Sequence, residues 1–304
     1  MARRDDDSWD ITESVGATAL AVAMARADET TSEHPLFTDP YAQAFLDAAT
    51  ARGWRRPRGP MAERIRAISG YAASRTKWFD EFFIAAGANG IRQSVILGAG
   101  LDSRAWRLPW IQESAVYEID QPQVLQFKAE VLQSQHAQPG THYVAVPVDL
   151  RQDWPKSLQA MGFDATQPTA WSVEGLLPYL PADAQDVLFE RITGLSALGS
   201  RVGVEAFAAE FFTERYLARR RDQMRQLREQ AGAAGEDMPD PEGLWFIEER
   251  AMVTEWLSER GWQVSMIEAD DLMARYHRAV SPDAEGGSMP TEFVEAVLVE
   301  HYES

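Results

Sequence analysis

Apolar positions recur at helical spacing over residues 15–24, 41–49 and 65–86, so the first 90 residues read as helical. Asp39-Pro40 marks one helix start, with Asp39 as cap and Pro40 in the first helical position. The pattern then changes. Short apolar runs at 94–97, 115–119, 142–148, 169–173 and 201–206 read as strands, separated by helix-length stretches at 123–135, 154–161 and 182–198. A helix at 247–260 and strands at 262–267 and 292–301 follow. Alternation of this kind predicts an α/β protein with a mostly parallel sheet covered on both faces. The last strand comes after Gly286-Gly287 with no long helix before it, which suits an antiparallel edge strand beside the sixth. Residues 210–243 are too long for a simple crossover and form a candidate lid or substrate-binding insertion. Residues 52–60 and 231–243, with their Gly and Pro, read as exposed loops.

Composition narrows the function classes. With 45% hydrophobic and 25% charged residues over 304 positions, the chain can bury a sizeable core. A formal net charge of −18 repels phosphate backbones and disfavours general nucleic-acid or anionic-membrane binding. Residues 236–304 hold 17 acidic against 4 basic side chains, the pattern of a solvated surface. Arg215, Arg219, Arg220, Arg221, Arg225 and Arg228 form a basic run with Glu214, Asp222 and Glu229 interleaved, so pairing along a helix is expected. The chain has no cysteine, which excludes disulfides, thiol nucleophiles and thiolate metal sites. No apolar run approaches the roughly 18 residues of a membrane span. The apolar residues 17–25 follow Arg3 and Arg4, but Asp5, Asp6, Asp7, Asp10 and Glu13 intervene, unlike a secretory signal. A cytoplasmic protein is the expectation.

The chemistry-bearing residues fall at strand ends. In open α/β sheets, ligands bind beyond the carboxyl ends of the strands, at the topological switch point. The first predicted strand runs into Gly98-Ala99-Gly100-Leu101-Asp102-Ser103, where glycines let a ligand approach the backbone. Asp120 ends the second strand, at a distance from Gly98 that suits an acid binding the two hydroxyls of a ribose. Asp149-Leu150 follows the third strand, placing an acid for an adenine amino group and an apolar side chain for the ring. Glu174 follows the fourth. Position 103 is Ser where a dinucleotide fingerprint has its third glycine, so the turn suits a nucleoside without pyrophosphate better than NAD.

Long stretches of the chain resemble one family. LGAGLDSRAWRL (97–108), VYEIDQPQVLQFK (116–128), VPVDLRQDWP (146–155) and WSVEGLLPYLP (171–181) are similar to bacterial S-adenosylmethionine-dependent methyltransferases related to leucine carboxyl methyltransferase. DSWDITESVGATAL (7–20), HPLFTDPYAQAF (34–45) and SRTKWFDEFF (74–83) fit the same group. The resemblance implies a class I methyltransferase fold: a Rossmann-like, seven-stranded, mostly parallel sheet whose last strand is antiparallel. An N-terminal helical cover (1–90) would precede that domain (91–304), which would carry the lid-like insertion at 208–245. S-adenosyl-L-methionine is the implied cofactor. Asp120 would hold its ribose, Asp149 and Leu150 its adenine, and Gly98, with Gly100, would lie under it. Arg75 would pair with its methionine carboxylate, and Glu174 would line the same site. Pro178 stands where members often have Met, which bears on acceptor shape because proline stiffens the turn and removes a donor.

Methyl transfer needs alignment of nucleophile, methyl and sulfur, and orientation alone supplies roughly 7–11 kcal/mol. A carboxylate acceptor is already ionised near neutral pH and needs no general base. The five histidines, His34, His136, His142, His277 and His301, show neither metal-ligand spacing nor a partner acid near these motifs. No metal is expected, and no catalytic side chain is assigned. Tyr179 and Trp245 are candidates to line the pocket of a small or lipid-like acceptor, while Asp102 and Arg104 are expected to order the glycine turn. Rival readings are an NAD-dependent oxidoreductase on a similar sheet, a non-catalytic S-adenosylmethionine-binding regulator, and methylation of a protein C-terminal carboxylate as in eukaryotic relatives.

Overall fold

The computed structural model describes residues 14–233, 245–278 and 289–301. The acidic stretch at 5–13, most of the loop at 231–243 and Gly286-Gly287 lie outside the described residues. Four helices come first: α1 (Ser14–Thr30), α2 (Ala42–Ala51), α3 (Gly59–Ala67) and α4 (Ser69–Ala88). Ahead of α2, the Asp39 carboxylate accepts from the Tyr41 and Ala42 N–H groups at 3.0 and 3.2 Å, but the helix starts later than predicted, with Tyr41 at the N-cap and Pro40 before it. The single helix expected over 65–86 is two. Ile68, at φ −98° and ψ 6°, breaks the run, and the Ser69-Gly70 pair after it is poor at carrying a helix across such a joint. The basic loop at 52–60 is correspondingly shorter, because α3 already begins at Gly59.

Strands and helices then alternate. β1 (Gln93–Leu97), α5 (Arg104–Arg107), β2 (Ala115–Asp120), α6 (Pro122–Ser134), β3 (His142–Pro147), α7 (Trp154–Ala160), β4 (Thr169–Val173), α8 (Ala182–Gly194) and β5 (Arg201–Phe207) follow in order. After β5 come α9 (Glu214–Ala233), α10 (Val253–Ser258), β6 (Trp262–Glu268), α11 (Ala269–Arg275) and β7 (Thr291–Leu298). The seven strands form one sheet in the order β3-β2-β1-β4-β5-β7-β6. All neighbouring pairs from β3 to β5 are parallel, and β7 is antiparallel to both β5 and β6. The antiparallel strand is therefore inside the sheet, not at its edge as expected. β6 takes the edge, and its exposed Gln263, Ser265 and Met266 suit that place.

Alternation along β1 sends Val95 and Leu97 to one face and Ile96 to the other. The first face packs against Trp154 and Leu158 of α7, Phe189 and Ile192 of α8 and Trp256 and Leu257 of α10. On the second face, Phe82, Phe83 and Ala86 of α4 cover Ile96, Val116 and Ala170. Gly203 of β5 explains how closely α4 lies. A Cβ there would stand 3.3 Å from the rings of Phe82 and Trp78, so the rings occupy its space. Leu20, Met24, Phe45 and Leu46 of α1 and α2 pack with Phe127 and Val131 of α6 and with Leu101 beyond β1.

Other differences have local causes. The helix expected over 247–260 is confined to Val253–Ser258. Arg250 pins the preceding segment by donating to the carbonyls of Phe246 (2.6 Å), Leu177 (2.9 Å) and Leu180 (3.1 Å). Along α9, Arg225 pairs with Asp222 at 3.0 Å, but Arg215, Arg219 and Arg221 pair with no carboxylate among the described residues. The spacing is the reason: Glu214 meets Leu217 and Ala218 at i+3 and i+4, and Arg215 meets Arg219.

Candidate functional site

Five parallel strands end on one side of the sheet, and β1 and β4 part there toward opposite edges. This is the switch point at which a crevice opens. The backbone leaving β1 turns sharply, with φ +64° at Gly98 and +52° at Gly100, values that side chains with a Cβ rarely adopt. The amides of Gly98 and Ala99 donate to Ile119 O at 2.9 and 3.1 Å, which seats the turn against β2. Leu176 and Leu150 wall the space beside Gly98, with methyl carbons 3.4 and 4.0 Å from where a Cβ would stand. From the other side, α1 closes on the turn. Arg26 donates to Leu101 O at 2.6 Å and pairs with Asp39 at 3.3 Å.

Four acids stand at four consecutive strand ends. Asp120 ends β2, and its two oxygens accept the Gly100 and Gln121 N–H groups at 2.6 and 2.7 Å. Burial pushes its carboxyl above the ordinary range, and these two amides pull it partly back. An ionised carboxylate has about four acceptor positions, so two remain for a ligand's hydroxyls. Asp149 follows β3 and accepts from Arg151 Nε and Nη2 at 3.0 and 2.8 Å. Gln121 Nε2, at 3.4 Å, links it to the Asp120 turn. Leu150 is half-buried beside it.

Glu174 follows β4 and lies between two arginines, with Arg75 Nε at 3.0 Å and Arg104 Nη1 at 2.7 Å. Arg104 is itself almost wholly buried. It also binds Asp80 at 2.7 Å, Asp102 and the Thr76 carbonyl at 3.3 Å. The expected ordering of the turn by Asp102 and Arg104 thus extends to Glu174 and to α4. Burial alone would raise the Asp102 carboxyl, but Arg104 and the cations behind it hold it down at about 2. Glu205, the fourth acid, lies near the end of β5 and accepts from Arg75 Nη1 at 3.2 Å. Arg75 therefore sits between two carboxylates contributed by neighbouring strands.

Aromatic side chains fill the region beyond β4 and β5. The Tyr179 and Trp245 rings, both expected here, meet edge to face with centroids 6.5 Å apart. Phe207 lies 5.8 Å from Trp245 and stacks on Phe211 at 3.8 Å. Arg220 of α9 lies over the Trp245 ring at 5.2 Å, so α9 reaches this cluster. Phe207, Phe211, Arg220, Glu205 and Tyr71 are the site neighbours that motif reading missed. Each sits at a position that reads equally well as core or helix surface. The histidines stand apart: His142 opens β3 at the opposite edge, His34 lies at a bend, His136 and His277 lie in turns, and His301 follows β7. Among the described residues no group of three His, Asp or Glu side chains is placed to hold a metal.

Comparison with known proteins gives this arrangement a context. The family model described as leucine carboxyl methyltransferase matches residues 19–193. A protein of Mycolicibacterium paratuberculosis, named for S-adenosyl-L-methionine-dependent methyltransferase activity, is 50% identical over 99% of this chain and 98% of its own length. One of Mycobacterium marinum with the same name is 49% identical over 97% and 98%. Among solved structures, a DUF574 family protein of Streptomyces avermitilis aligns at TM-score 0.53 and 15% identity, covering 92% of this chain and 96% of that one. A Thermobifida fusca protein named as a methyltransferase aligns at TM-score 0.50 and 17% identity, covering 92% and 94%. At such identities the structural likeness speaks to the fold alone.

Proposed function

Because the chain belongs to the leucine carboxyl methyltransferase family, we propose that it is an S-adenosyl-L-methionine-dependent methyltransferase, acting on a carboxylate oxygen of a small or lipid-like acceptor. One observation carries the cofactor reading: acids stand at the ends of β2, β3 and β4 around a glycine turn at the switch point. The residues fit the group. Asp120 keeps acceptor positions for both ribose hydroxyls, with its carboxylate braced by Gly100 and Gln121 amides. Asp149 stands at the distance of the next strand for the adenine amino group, and Leu150 and Leu176 form apolar walls for the ring. Gly98 leaves the space a side chain would take. Arg75 and Glu174 offer a cation and an anion to the two charged groups of the methionine end.

When bound, the cofactor supplies a methyl group already activated by its sulfonium. The chain's share is to orient, and to keep water from the reacting atoms. The aromatic cluster of Tyr179, Phe207, Phe211 and Trp245 supports an apolar acceptor body beside the cofactor, with α9 closing over it. The lack of a histidine at these strand ends supports an acceptor that arrives ionised. The helices between Ser14 and Ala88 then act as a cover, and α9 (Glu214–Ala233), the described helix of the insertion, acts as a lid.

Calorimetric titration with S-adenosylmethionine, S-adenosylhomocysteine and NAD tests the reading. Micromolar binding of the first two, lost in Asp120→Ala and absent for NAD, is expected. Binding of NAD alone sinks the assignment in favour of an oxidoreductase. Turnover with aromatic or fatty carboxylic acids then tests the acceptor class.

A further inference from the structure

Glu205 collects more donors than any motif in the sequence announces. It is buried at 7% exposure, third from the end of β5. Its carboxylate accepts from the Tyr71 hydroxyl and from the Gly175 N–H at 2.7 Å, and Arg75 Nη1 lies 3.2 Å from both of its oxygens. Tyr71 and Arg75 are one turn apart on α4, so they present to it from one helix face. A single carboxylate thus ties α4, β5 and the loop after β4 together at the strand ends.

The division of Arg75 matters. Glu205 accepts hydrogen bonds from Nη1, whereas Nε only pairs with Glu174 at 3.0 Å without a hydrogen bond, and Nη2 makes none among the described residues. A buried guanidinium is costly unless paired, and two carboxylates keep this one charged. Burial and the Glu205 charge push the Tyr71 phenol up, so it stays protonated and donates. Two roles for Glu205 give opposite signs. If it merely offset the charge of Arg75, its removal would strengthen the pull of Arg75 on an anion. If it holds the guanidinium in place, its removal leaves Arg75 to Glu174 alone, and a planar donor set out of register loses an anion.

We propose that Glu205 is a positioning residue, which, with Tyr71 and the Gly175 amide, holds Arg75 so that Nη2 is presented to the methionine carboxylate of the cofactor. This rests on the cofactor reading above. It predicts an effect confined to ligands that carry the amino-acid end.

The test is equilibrium binding of S-adenosylhomocysteine and of 5′-methylthioadenosine, which keeps the nucleoside and thioether but lacks that end. The full chain is used as wild type, Glu205→Gln, Arg75→Gln and the double variant. Glutamine keeps an acceptor for the Gly175 N–H and removes the charge. We expect Glu205→Gln to weaken S-adenosylhomocysteine binding by about tenfold or more, the scale of a charge-assisted hydrogen bond. Binding of 5′-methylthioadenosine should change less than about twofold, well under that scale. The double variant should bind S-adenosylhomocysteine no more weakly than Arg75→Gln. Unchanged or tighter binding in Glu205→Gln, equal losses for both ligands, or additive losses in the double variant each overturn the proposal. Tyr71→Phe leaves the ion pairs intact. It should show a smaller loss with the same ligand selectivity, and decides the matter if Glu205→Gln does not fold. A wild-type protein that binds neither ligand refutes the cofactor reading and this proposal with it. Normal wild-type binding with an indifferent Glu205→Gln refutes only the proposal.

Discussion

Glu118 and Lys128 pair inside the protein with neither side chain exposed, and Tyr143 donates to the same carboxylate at 2.9 Å. Burial outweighs these partners and raises the Glu118 carboxyl to about 7. The unfolded chain releases that proton near the ordinary glutamate value, so between about 4.5 and 7 the folded state binds more protons than the unfolded one. Stability therefore falls as pH rises through this window, by up to about 3 kcal/mol. Melting temperatures of wild type and Glu118→Gln, compared from pH 5 to 7.5, test this. Wild type should lose ground to the variant as pH rises, and a gap independent of pH contradicts it. Asp102 acts in the opposite sense. Held at about 2, it contributes stability that is lost as pH falls from about 4 toward 2. Of the groups in and around the site, those in motifs were legible from sequence: Gly98, Asp120, Asp149 and Glu174 all follow apolar runs. Glu205 was not, since it interrupts a buried strand, and its partners Tyr71 and Arg75 lie 134 and 130 residues away.

At the scale of elements, the α4–β5 contact positions both Arg75 and Glu205, because each is carried by one side of it. Its closest approach is at Gly203, where ring carbons stand 3.3 Å from an added Cβ. Alanine would gain about 0.5–1 kcal/mol in strand preference over glycine. Overpacking against Phe82 and Trp78 costs about 1–3 kcal/mol, and those rings are themselves buried and have little room to retreat. The net effect of Gly203→Ala is therefore destabilising, and larger for Gly203→Val. Chemical denaturation should show a lowered midpoint with unchanged slope for both. A midpoint at or above wild type for Gly203→Ala would mean that α4 can shift outward. The strands were legible as elements because each is a short apolar run bounded by turns. The break at Ile68 was not, since apolar periodicity runs on through it, nor was the irregular stretch before α10. That stretch is set by Arg250 reaching carbonyls some seventy residues earlier in the chain.

Over the whole molecule, charge is segregated. A chain of net charge −18 carries exposed Arg215, Arg219 and Arg221, which meet no carboxylate among the described residues, on the helix that reaches the aromatic cluster, while its surplus of acids is concentrated from residue 236 onward. No helix among the described residues is long and apolar enough to cross a membrane. The sequence carried the strand–helix alternation but not the strand order. Pairing partners are chosen by packing between distant segments, which local periodicity does not encode. β7 pairs with β5 along seven residue positions and with β6 along seven more. Removing residues 291–304 would leave two unpaired strand edges and open both apolar clusters that include Phe293 and Val294. Such a truncation should yield aggregated protein by size-exclusion chromatography, whereas removal of residues 302–304 alone should yield a monodisperse species.

The place of β7 also sets an order of events at the ribosome. β6 is synthesised first but has no neighbour to join until β7 arrives and inserts between it and β5. The nascent chain can assemble β1 to β5 as it emerges, yet it must hold that sheet open at one side until its final strand is translated. For that interval β5, with Glu205 upon it, is an exposed edge.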